Sequence, residues 1–93
     1  MTTVTWSPRA TQQLIDAIDY IAQDDLAAAY RVRDTVVERV NLLTEFPELG
    51  RPGRSRGSRE LVITGTSYIA VYRVNGSNIE IAKLWHSAQS RRR

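Results

Sequence analysis

The chain has 93 residues, of which 42% are hydrophobic and 25% charged, ordinary values for one globular domain and unlike those of a disordered chain. It has no cysteine and one histidine, His86, which excludes disulfides, thiolate nucleophiles and Cys-based zinc sites, and no apolar run reaches the roughly 18 residues of a membrane span. Charge is divided unevenly: residues 1–48 carry a net −4 and residues 49–93 a net +7, and twelve of the thirteen basic residues are arginine.

Thr3, Val4, Thr5 and Trp6 alternate and predict a short strand. Ser7-Pro8 predicts a helix start, with Ser7 as N-cap and Pro8 at the first helical position, where its missing N–H costs nothing. Ala10, Leu14, Ile18 and Ile21, with Ile15 and Ala22 beside them, form an apolar stripe through about residue 23. Asp24-Asp25 interrupts the stripe, and either can cap a second helix in which Ala29, Val32, Val36, Val40 and Leu43 recur, ending at Phe46-Pro47. Two helices with so short a connection form an antiparallel hairpin. Residues 47–58 hold three glycines and two prolines and predict a loop. Three strands are predicted beyond it, Arg59–Thr64, Tyr68–Val74 and Asn78–Trp85, joined by turns at Gly65-Thr66-Ser67 and Asn75-Gly76. The last eight residues, from His86, read as a frayed basic tail closing on Arg91-Arg92-Arg93.

The order β-α-α-β-β-β predicts an α+β fold of two layers, the helix hairpin packed on a largely antiparallel sheet, in one domain spanning residues 1–93. Leu14, Ile18, Val36, Val40, Val71 and Ile81 are expected in the core. The other sheet face is left partly open and bears some of Arg59, Tyr68, Tyr72, Arg73, Lys83 and Trp85; alternation does not assign the faces. Soluble, cytoplasmic protein is the expectation, with no membrane partner, cofactor or metal.

Arginine is always charged and presents a planar fork suited to phosphate or carboxylate. The basic half therefore implies an anionic partner, either nucleic acid or an acidic protein segment, against the plainer reading of a solvated basic surface. Arg51, Arg54, Arg56, Arg59, Arg73, Arg91, Arg92 and Arg93 are the candidate anion- or target-binding residues. A non-enzymatic nucleic-acid-binding module would use the Arg51–Arg59 loop and the terminal arginines on phosphates, with Tyr68 and Tyr72 for stacking.

In order and spacing, Trp6-Ser7-Pro8-Arg9-Ala10, the helix segment Leu14–Ile21, Phe46-Pro47-Glu48-Leu49-Gly50-Arg51, Arg59-Glu60-Leu61-Val62, Tyr68–Val74 and Trp85-His86-Ser87-Ala88-Gln89 resemble the ParE/RelE superfamily of toxins from type II toxin–antitoxin systems. The resemblance covers almost the whole chain and implies the same β-α-α-β-β-β architecture. It also implies a cognate acidic antitoxin that wraps and neutralises the toxin, as a hetero-oligomer.

The superfamily holds two activities. RelE-like members are ribosome-dependent mRNA interferases; ParE-like members lack that chemistry and poison DNA gyrase, blocking replication. Cleaving RNA through the 2′-OH needs a proton acceptor, a donor to the leaving 5′-oxygen and positive charge on the phosphate. The resemblance places Arg59 where nuclease members hold a phosphate-stabilising arginine, His86 near the position of a histidine acid, and Glu48 at the head of the loop where some members hold a glutamate. Against that reading, no lysine precedes Lys83 and no tyrosine follows Tyr72, whereas the RelE branch carries such groups. Arginine is a poor proton shuttle. Glu48 also reads as a turn residue, His86 as a strand-end residue, Arg73 as an arginine stacked on Tyr72 or Tyr68, and Trp6 and Trp85 as packing residues. The sequence thus favours a ParE-like gyrase poison with no catalytic residue, and keeps as alternative a RelE-like interferase acting on ribosome-bound mRNA through Arg59, His86 and Glu48.

Overall fold

Ser7 and Asp25 start the two helices. In the computed structural model, which describes residues 2–87, the Ser7 hydroxyl accepts from the Ala10 N–H at 3.0 Å and opens α1 (Pro8–Ala22). Of the two aspartates, Asp25 is the cap that opens α2 (Leu26–Asn41), accepting from Ala28 N–H at 3.0 Å. The last turn of the predicted second helix tightens into a 3₁₀ turn at Leu42–Thr44.

The strands are β1 (Thr3–Trp6), β2 (Arg51–Pro52), β3 (Ser58–Ile63), β4 (Tyr68–Asn75) and β5 (Asn78–His86), in the sheet order β1-β5-β4-β3-β2. Pairing is antiparallel except between β1 and β5. The segment expected to be all loop thus contributes a two-residue strand, β2, and His86 closes β5 instead of opening a frayed tail. Two helices on one face of a mostly antiparallel sheet bury one core, as the order of elements implies.

Register assigns the faces. Leu61 and Ile63 of β3, Ala70 and Tyr72 of β4, and Ile79, Ile81 and Leu84 of β5 all lie in the core under the helices. A bulge opposite Val71 and Tyr72 leaves Ala82 without a partner, since Val71 pairs with Lys83 and Tyr72 with Ile81. One extra residue inverts the alternation, so Ile81 and Leu84 both point inward. Val36, Val40 and Ile81 are fully buried and Val71 nearly so, but Leu14 and Ile18 are only half-buried, because α1 lies at the margin of the sheet over β5.

Ser7 joins α1 to that bulge. Its hydroxyl also donates to Ala82 O at 2.8 Å, and its N–H donates to Ile81 O at 2.9 Å. Ser7→Ala should cost about 1–2 kcal/mol. Thermal unfolding should show it as a loss of roughly 4–8 °C per kcal/mol.

Candidate functional site

The open face carries Ser58, Glu60 and Val62 from β3, Ile69, Val71 and Arg73 from β4, and Glu80, Lys83 and Trp85 from β5. Tyr68, Tyr72 and Arg59 face the helices. Arg73 therefore cannot stack on Tyr72, its neighbour in the strand, because successive side chains point to opposite faces. Its guanidinium instead donates to Arg56 O at 2.8 Å, tying down the loop before β3. The Arg73–Glu80 pair lies across β4 and β5.

Three cations of this face contact the protein itself. Arg51 donates through Nε and Nη2 to one Glu60 oxygen at 3.2 and 3.1 Å. The Lys83 ammonium lies 4.8 Å from the centre of the Trp85 ring, and the Arg54 guanidinium 5.8 Å. Arg54, Ser55, Ser58, Glu60, Lys83 and Trp85 line a hollow of about 280 Å³. The Trp85 indole N–H is buried without an acceptor among the described residues. Arg91, Arg92 and Arg93 lie outside the described residues.

In this geometry Arg59 holds the turn after α2. Its Nη1 donates to Gly50 O at 2.7 Å and to Glu48 O at 3.5 Å. Tyr72, opposite Arg59 on β4, completes the clamp: its fully buried hydroxyl donates to Pro47 O at 2.7 Å and accepts from Gly50 N–H at 2.9 Å. Gly50 is obligatory there, since a Cβ would stand 2.7 Å from the Tyr72 ring and 2.8 Å from Glu60 O. Glu48 contributes its carbonyl to this turn and leaves its side chain exposed, which is the turn role. The sequence reading missed Tyr72 as the centre of the network; a tyrosine on a core face, with a glycine-containing turn in reach, is the only sign it leaves.

Arg59 and Glu48 thus come together and His86 does not. His86 pairs with Tyr68, four residues along β4 from Tyr72, and meets its ring edge-on at 5.3 Å. With about 3.3 Å per residue and about 4.8 Å between strands, the Cα atoms of Arg59 and His86 are roughly 16 Å apart. The Arg59 guanidinium, held at the Glu48 and Gly50 carbonyls, turns away from β5 and His86.

Burial pushes the phenols of Tyr68 and Tyr72 above 10; Tyr20 adds to the first, while Gly50 N–H and Arg59 partly offset the second. The unfolded chain gives up these protons first, so their contribution to stability is complete below pH 10 and is lost as pH rises through the folded values. Denaturation midpoints should hold up to that pH and then fall, with phenolate absorbance from these two rings appearing at higher pH in the folded than in the unfolded protein.

The family model described as the ParE toxin of type II toxin–antitoxin system, parDE, matches residues 4–91. The Y4kP protein of Sinorhizobium fredii is 38% identical over 86 residues, covering 92% of this chain and 88% of that protein. Toxin RelE2 of Caulobacter vibrioides is 33% identical over 89 residues, 96% of this chain and 99% of its own. Among solved structures, the chromosomal ParDE toxin–antitoxin system from P. aeruginosa superposes with a TM-score of 0.84 at 25% identity, covering 92% of this chain and 96% of that one.

Proposed function

Since the chain belongs to the ParE toxin family of type II toxin–antitoxin systems, we propose that it acts by binding DNA gyrase in the cytoplasm, trapping it on cleaved DNA and blocking replication. The observation that carries this reading is the separation of Arg59 from His86. Acid–base catalysis contributes about 10²–10⁴ per positioned group, and His86 on β5 is not positioned on an anion held at Arg59, whose guanidinium turns to the Pro47–Gly50 turn beyond β3. Arg59 is also engaged by two backbone carbonyls of the Pro47–Gly50 turn. The likeness to the ParDE structure supports the same branch.

The neutralising partner is a cognate acidic antitoxin, a reading supported by the toxin–antitoxin complex among the similar structures. The two would form a hetero-oligomer. A second reading, cleavage of ribosome-bound mRNA, is favoured by the similarity to toxins named RelE. Purified protein assayed side by side for inhibition of gyrase supercoiling and for cleavage of mRNA on ribosomes separates the two. Gyrase inhibition with intact mRNA is expected; mRNA cleavage with normal supercoiling would replace this reading with the second.

A further inference from the structure

The Tyr72–Arg59 clamp fixes the backbone of the turn after α2 by four hydrogen bonds to two side chains. Phe46 N–H donates to Leu42 O at 2.9 Å at its entry, and Leu49 N–H donates to Phe46 O at 3.0 Å across it. A turn held this firmly shows solvent apolar side chains: Phe46 is 55% exposed and Leu49 48%. The core is closed by Leu43, one turn earlier, and contains neither of them.

Phe46, Pro47 and Leu49 line a hollow of about 460 Å³, bordered by two charged residues, Glu45 and Glu48. Neither carboxylate makes a hydrogen bond or ion pair with a described residue. Arg39 and Arg51 line a separate groove that shares only Leu49 with this hollow, and Arg51 is already paired with Glu60. Apolar groups exposed together inside a charged rim mark a protein-binding surface. Fixing the backbone beforehand removes the cost of ordering it on binding.

Resting on the gyrase reading above, we propose that this turn is the contact with the gyrase protein itself. Phe46 and Leu49 enter an apolar pocket on gyrase, and Glu45 and Glu48 meet lysine or arginine at the pocket's rim. An enzyme that grips DNA carries basic surface, which two unpaired carboxylates complement. The same carboxylates disfavour the other occupants. An acidic antitoxin would set carboxylate against carboxylate. Nucleic acid would set phosphates there and leave Phe46 and Leu49 uncovered. A symmetric pair of copies would bring Glu45 and Glu48 of both chains together.

The test is inhibition of gyrase supercoiling by the full chain and its variants. Leu49→Asp and Phe46→Ser should each need about tenfold or more protein for half-inhibition. Glu45→Lys combined with Glu48→Lys should need about threefold to tenfold more. Ile15→Ser, 45% exposed on α1 over β5, should inhibit as the parent does. A benzophenone side chain in place of Phe46 should cross-link to gyrase on irradiation, and one in place of Ile15 should not. The cross-link decides for any variant whose urea midpoint falls with its activity. Variants at Phe46 and Leu49 that inhibit like the parent, or a benzophenone there that never reaches gyrase, overturn the proposal and leave the gyrase reading standing. Cross-links between two copies of the chain in place of gyrase would assign the turn to a second copy. Variants that inhibit gyrase fully yet escape the antitoxin would assign it to the antitoxin. A parent protein without effect on gyrase overturns the target reading, and this one with it.

Discussion

Tyr72→Ala should remove most of the stability of this protein. The ring is fully buried, and truncating such a side chain costs about 3–5 kcal/mol. The lost hydroxyl leaves Pro47 O and Gly50 N–H without their partner, which adds about 1–3 kcal/mol. Against a total of about 5–15 kcal/mol for a domain, the variant should be largely unfolded at physiological temperature. Tyr72→Phe separates the two contributions: it keeps the ring and should cost only the hydroxyl's share of about 1–3 kcal/mol. Gly50→Ala should approach the effect of Tyr72→Ala, because its Cβ would collide with the ring and with backbone together. Urea midpoints measure all three. A Tyr72→Phe midpoint equal to that of the parent would show that the hydroxyl does not hold the turn.

His86→Ala should leave toxicity within about twofold of the parent, where loss of an acid–base catalyst would cost about 10²-fold or more. His86 meets Tyr68 at the end of β5 and stands apart from Arg59, so its loss should be felt as a modest change in packing. Reversing the charge of Arg91, Arg92 and Arg93 together should weaken toxicity strongly if the target is the proposed, anionic gyrase–DNA complex, since three reversals change the net charge by six. Arg59→Glu is a poor probe of target binding, since it would release the Pro47–Gly50 turn. Cells producing the protein should show DNA damage signalling and filamentation before translation falls. If translation stops first and His86→Ala abolishes toxicity, His86 is an acid–base catalyst and the gyrase reading is wrong.

Much of the fold was legible because its signals are local. Ser7-Pro8 and the aspartates before Leu26 mark helix starts by capping chemistry, and Asn75-Gly76 marks a hairpin by glycine's access to positive φ, found at 60° for Gly76. The apolar stripes Val36–Val40–Leu43 and Ile79–Ile81 name core residues by period alone. The basic half and the family resemblance are likewise properties of the chain.

The site was not legible in the same way. Which face of the sheet Lys83, Trp85 and His86 occupy depends on the bulge at Ala82, a one-residue irregularity that no pattern of period two encodes. Arg59, Glu48 and His86 could be grouped by residue type and motif, but only the strand register sets them roughly 16 Å apart. Arg73 passes as an aromatic-stacking residue until the pleat puts it on the opposite face from both tyrosines. Capping, periodicity and composition act between near neighbours and survive in the sequence as written. The Tyr72–Gly50–Arg59 clamp joins Gly50 to residues 9 and 22 positions away, and exists only once packing has brought those strands and that turn together.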